Sequence, residues 1–110
     1  MATAEDFFAI DMRVGTVVRA EPFPEARKPS IRLVIDFGSE IGEKRSSAQL
    51  TMHYTPETLV GRQVVAAVNL GTRRIAGFSS EVLVLGGMPT EREVVLLAME
   101  RPVANGTRIG

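Results

Sequence analysis

The sequence contains no cysteine and no tryptophan, a single tyrosine, a single histidine, and no surplus of either charge. Without cysteine there is no disulfide, no thiolate zinc site and no cysteine nucleophile. Without tryptophan, and with Tyr54 as the one tyrosine, a row of aromatic platforms for stacking successive bases is hard to assemble. His53 is the one imidazole available to a triad or a metal site. It lies in "TMHYTP" ahead of a helix start, where a solvated loop histidine is the simpler reading. The motifs GxxxxGK[ST], GxGxxG and HExxH are missing, which removes phosphate loops, dinucleotide fingerprints and metalloprotease helices. Glu91 and Glu93 alternate with Thr90 and Arg92 around a turn and read as solvated surface. No apolar run approaches the roughly 18 residues of a membrane span, and Glu5 and Asp6 stand where a secretory signal would carry basic residues. The absences point to a cytoplasmic, non-enzymatic protein with no catalytic residues, metal, cofactor or membrane insertion.

What is there reads as β structure. A chain of 110 residues with 13 acidic and 13 basic side chains fits one domain over 1–110, and any basic surface on it must be local. In "MRVGTVVRA" Met12, Val14, Thr16 and Val18 share one parity, and in "IRLVIDF" Ile31, Leu33, Ile35 and Phe37 do the same. Both patterns are those of strands with one buried face. "EKRSSAQL" follows the turn signal "GSEIG" as a third strand. "RQVVAAVNL" and "EVLVLGG" are apolar on both parities, as in strands covered on both faces, and "EVVLLAM" adds a further short one. "EPFPEARKP" is a loop stiffened by prolines.

Two short helices interrupt the strands. In "TPETLVG" Thr55 is the cap, Pro56 takes the first helical position and Gly61 ends the turn. Near the N-terminus Thr3 and Asp6 form a capping-box pattern, and Phe7, Phe8 and Ile10 supply an apolar stripe to set against the barrel or a second subunit. Asn105-Gly106 near the end is a hairpin signal. The expected fold is all-β: a five-stranded Greek-key barrel of the OB type, with the "TPETLVG" helix between strands 3 and 4.

OB barrels bind oligonucleotides on one face and the loops that frame it, so the basic pairs Arg27-Lys28, Lys44-Arg45 and Arg73-Arg74 are the natural phosphate contacts. For any single pair taken alone, keeping a loop soluble is the simpler reading.

In order along the chain, "IDMRVGTVVRAEPFPEA", "LVIDFG", "YTPETLVGRQVVAAVNL" and "RRIAGFSSEVLVLGG" resemble the tRNA-binding domain of free-standing dimeric tRNA-binding proteins and of some aminoacyl-tRNA synthetases. With "FPEAR", "SSAQ" and the closing "NGTRIG", the sequence is more similar still to a bacterial branch of that family described as secretion-related chaperones. The resemblance implies a homodimer joined through the N-terminal helix and the C-terminal extension, with no enzymatic activity. It implies tRNA, unfolded precursor proteins and the export machinery as partners. Carried over by position, the tRNA-binding residues are Asn69, Arg73, Arg74, Gly77, Ser79 and Ser80, beside Arg27, Lys28, Lys44 and Arg45. The family pattern Ser-x-Gly-Met is kept at Ser80 but meets Val82 and Leu83 in place of glycine and methionine. That more apolar stretch, with Phe78 and Val82 as its candidate contacts, is expected to hold peptide.

Overall fold

The structure is a computed structural model describing residues 1–110. Five strands form an antiparallel sheet in the order β3-β2-β1-β4-β7, with β1 at Met12–Pro22, β2 at Ile31–Asp36, β3 at Glu43–Ala48, β4 at Gln63–Ala67 and β7 at Leu83–Val84. The sheet curls until β3 nears the chain entering β7, giving the nearly closed five-stranded barrel of an OB-fold.

Alternation in β2 works as its sequence promises: Ile31, Leu33 and Ile35 are buried while Arg32, Val34 and Asp36 are partly exposed. In β1 the alternation fails at one place. Val17 pairs with Ile35 and Arg19 with Val34, which leaves Val18 as an extra residue in a β-bulge. The bulge turns Val17 fully inward and leaves Val18 43% exposed, so the parity expected to run from Met12 to Val18 shifts there. The bulge also bends β1 so that its first half can pair with β4 and its second half with β2. At Gly15 a Cβ would stand 2.6 Å from the Ile35 side chain, so only glycine lets β1 lie this close to the packed sheet.

Helix α2 (Pro56–Leu59) lies between β3 and β4 with Thr55 as its cap, and its Leu59 is buried among Leu33, Phe37 and Val64 in the core. Helix α1 (Ala4–Ala9) carries the Thr3–Asp6 capping box, yet buries none of its residues. The chain around Arg73-Arg74, expected in or beside a loop, is a hairpin of β5 (Arg73–Ile75) and β6 (Phe78–Ser80). Its two-residue loop has φ of 47° at Ala76 and 82° at Gly77, a type I′ turn. The run "EVLVLGG", expected as one strand, divides into β7 and β8 (Gly86–Gly87), and β8 pairs with β9 (Val95–Leu96).

The C-terminal tail returns to the barrel. The Asn105-Gly106 hairpin expectation is replaced by a turn in which Thr107 N–H donates to the Ala104 carbonyl and Gly106 has φ of 90°. That geometry is a type II turn, and no ladder joins the residues on its two sides, so it closes no hairpin. The tail then lies along the edge of β1 that β2 leaves uncovered. Val14 N–H donates to the Thr107 carbonyl at 2.9 Å, Gly106 N–H to the Val14 carbonyl at 2.7 Å, and Ile109 N–H to the Met12 carbonyl at 2.9 Å. Gly38 and Gly106 interlock, since a Cβ on Gly38 would lie 2.6 Å from the Asn105 carbonyl oxygen and one on Gly106 2.6 Å from that of Phe37. Arg13 clamps the same end, donating to Asp11 at 2.7 Å and to the Gly106 carbonyl at 3.0 Å. The hydrogen bond from Arg13 holds the Asp11 carboxyl below its ordinary range, against a smaller opposing effect of burial, and Arg108 adds to the lowering.

A candidate ligand-binding groove

The barrel seam is closed by side chains over part of its length. Arg45 N–H donates to the Glu81 carboxylate at 3.0 Å and Glu81 N–H donates back to the Arg45 carbonyl at 2.7 Å. Ser47 N–H donates to the Ser80 hydroxyl at 3.0 Å, and the buried Ser46 hydroxyl to the Val82 carbonyl at 2.9 Å. Beyond Ser47 on one side and Val82 on the other, the seam opens into a groove of about 600 Å³.

The floor of the groove is apolar, with Leu50, Ile75, Leu83 and Val94 among its residues. Its rim carries Arg27 and Lys28 from the β1–β2 loop, Arg73 from the hairpin, and Arg92 from the β8–β9 loop. All four cations are exposed, and none has a carboxylate within ion-pair distance. Glu91 is the one acid on the wall. Four cations against one carboxylate around a concavity concentrate positive potential there, although the whole chain is neutral.

Of the residues expected at the site, the fold thus brings Arg27, Lys28 and Arg73 together. Arg74 sits on the other face of the hairpin and donates to the Ser79 hydroxyl at 3.0 Å. Lys44 and Arg45 do not line the groove; Arg45 pairs with Glu81 at 3.5 Å, with its guanidinium 5.6 Å from the Phe78 ring centre. Phe78 packs edge-on against Phe23 at 5.5 Å, and Arg32 lies over both rings. This stack fixes the hairpin against the β1–β2 loop, and so sets Arg73 relative to Arg27. Gly77 makes the I′ turn and Ser80 the seam bond, both positioning roles. Val82 is a core residue only 6% exposed, so its side chain faces the barrel interior, whereas its neighbour Leu83 is 53% exposed. Asn69 stands apart from the groove: its amide accepts from Asp11 N–H and donates to the Ala9 carbonyl, both at 2.9 Å, tying α1 to the barrel. His53 is a loop residue, 2.7 Å from the Glu93 carboxylate.

Sequence reasoning missed Arg92, Ile75 and Leu83 as groove residues. Arg92 looked like part of a solvated charge cluster, and only the pairing of β8 with β9 carries its loop to the rim.

Residues 12–108 match the model of the "putative tRNA binding domain" family. The chain is 35% identical over 105 residues to a methionine–tRNA ligase of Porphyromonas gingivalis, covering 96% of this chain and 15% of the ligase. It therefore spans about a seventh of that relative, whose own reaction resides in a far longer protein. Among solved structures it superposes on the chaperone CsaA of Bacillus anthracis with a TM-score of 0.95 at 57% identity, covering 100% of this chain and 99% of that one. The CsaA chaperone protein of Picrophilus torridus gives 0.91 at 42% identity, with both chains fully covered. With nearly the whole barrel and its tail inside the matched region, the chain belongs to the tRNA-binding domain family.

Proposed function

We propose that this protein is a non-enzymatic binding protein of the chaperone type, holding tRNA and unfolded, export-bound polypeptide on one basic and partly apolar face. The observation that carries the reading is the groove itself, where Arg27 and Lys28 of the β1–β2 loop and Arg73 of the hairpin, distant in sequence, meet Arg92 around an apolar floor. Unpaired rim cations suit phosphates, which dominate affinity for nucleic acid, while the apolar floor gives a segment of unfolded chain somewhere to bury side chains. Lys44, Arg45 and Arg74 lie outside this rim and extend the basic surface for a ligand as large as a folded RNA.

The protein works as a homodimer in the cytoplasm, delivering precursors to the export machinery. Supporting the dimer, Phe7, Phe8 and Ile10 stand 43%, 48% and 42% exposed on or beside a helix that buries nothing in its own subunit. Two copies would double the basic face and raise effective affinity for one RNA. A dedicated tRNA-binding role without chaperone activity is the second reading, favoured by the likeness to a domain within a methionine–tRNA ligase.

The deciding experiment is anisotropy of labelled tRNA at low and physiological salt, with an unfolded precursor as competitor. Steeply salt-dependent binding that the precursor displaces supports one shared face. Binding that no precursor displaces supports the dedicated tRNA reading, and absence of tRNA binding at both salts sinks the nucleic-acid half of the proposal.

A further inference from the structure

The open part of the seam offers more than charge. Leu85 N–H donates to the Val65 carbonyl, and Val84 pairs with Ala66 one position along the same antiparallel ladder. Bonded and non-bonded pairs alternate in such a ladder, so the Val84 N–H and C=O point away from β4, toward the seam. Across the gap, Ser47 sends its N–H to Ser80, which places the Ser47 carbonyl on the same outward side of β3. That carbonyl accepts no hydrogen bond from the hairpin or from β7. Strand edges with unused backbone groups therefore flank an apolar floor.

We propose that this stretch of seam takes an extended polypeptide by strand addition along β7, with alternate apolar side chains on the floor and acidic side chains among the rim cations. The proposal rests on the polypeptide-binding reading above and names its binding mode and preferred sequence. Period-two alternation of a bound strand puts one set of side chains toward Leu50, Val84 and Val94, which belong to or pack against the core, and the other toward the rim. Four cations with a single carboxylate select acidic over basic flanks. A nucleotide strand fits less well: its phosphates would meet the cations, but no aromatic side chain lines the groove to stack a base, and the backbone edges would go unused.

The test uses labelled nine-residue peptides with alternating Val and Leu, flanked by Asp or by Lys, and two N-methylated forms of the Asp peptide that block alternate amides. The Asp peptide is expected to bind at least about tenfold tighter than the Lys peptide, from charge complementarity at the rim. The N-methylated form that blocks the amides facing β7 should lose roughly tenfold or more, and the other, whose blocked amides face the single free Ser47 carbonyl of β3, should lose less. The double change R73E and R92E, on exposed side chains, should reverse the flank preference without touching the fold. Parent-like affinity of both N-methylated forms would overturn strand addition. A single-stranded RNA decamer that binds the groove when no peptide does would also overturn it. A carboxymethylated, permanently unfolded protein serves as the parallel ligand. If it binds while the peptides do not, the seam proposal falls and the chaperone reading stands; if neither binds, both fall.

Discussion

The tail clasp and the groove use arginine in opposite ways. At the clasp Arg13 has its donors committed to the Asp11 carboxylate and the Gly106 carbonyl. At the groove Arg73, Arg27 and Arg92 reach no carboxylate at all. The same side chain is a brace where protein acceptors surround it and a free hook where they do not. What separates the two regions is acceptor supply, which follows from the packing of the tail and not from the count of arginines along the chain.

The sharpest break of the contrast comes from the clasp backbone. Gly106→Ala adds a Cβ against the Phe37 carbonyl and strains a residue at φ of 90°. It should cost about 2 to 3 kcal/mol in urea unfolding, with tRNA affinity kept while the protein is folded. A loss under about 1 kcal/mol would mean that the tail yields easily and the clasp is looser than its geometry. At the groove the expectation inverts. Replacing Arg27, Lys28 and Arg73 together by Ala should weaken tRNA binding by more than about tenfold and flatten the logarithmic salt slope by about two to three. Stability should move by less than about 0.5 kcal/mol, as for surface positions without special contacts, and unchanged affinity would place the RNA elsewhere.

A smaller effect separates the regions by pH. Because the folded-state pKa of Asp11 is lowered, its contribution is present above the unfolded value near about 4 and is lost as pH falls through the folded one. With the Asp11 side chain 30% exposed, the contribution should stay within about 1 kcal/mol. In acid titration of unfolding, Asp11→Asn should lower stability at neutral pH and converge with the parent at low pH. Parallel curves would remove the clamp from the account. The smallest expected change lies in the hairpin that carries Arg73. Ala76→Gly relieves a positive φ and should raise the melting midpoint by an amount worth about 0.5 kcal/mol, net of the entropy glycine adds to the unfolded chain. Destabilisation would show that the Ala76 methyl makes a contact of its own.

Much of the barrel was legible because burial on one face writes a period of two into the residues. Ile31, Leu33, Ile35 and Phe37 announce β2, and Thr55-Pro56 announces α2 before any coordinates. The bulge at Val18 was not legible, since it needs no particular residue and Val17 and Val18 are the same amino acid. The hairpin was hidden because its turn is Ala-Gly, with a non-glycine in a conformation that Asn or Gly usually signals. At the site, the basic pairs were visible as pairs, but which member faces the groove depends on hairpin register, which puts Arg73 opposite Ser80 and Arg74 opposite Ser79. The reading of Asn69 and Val82 as contact residues met long-range facts: one holds α1 to the barrel, and the other is part of the core.

The tail on β1 also has a bearing on solubility. Between Met12 and Val14 the strand has β4 on one side and, where β2 has ended, only the last residues of the chain on the other. A chain cut before Asn105 would bare the Val14 N–H and the Met12 and Val14 carbonyls, an unpaired sheet margin able to recruit the same margin of another molecule. Residues 106–109 therefore do for this margin what a neighbouring strand does elsewhere in the sheet, keeping its backbone groups occupied.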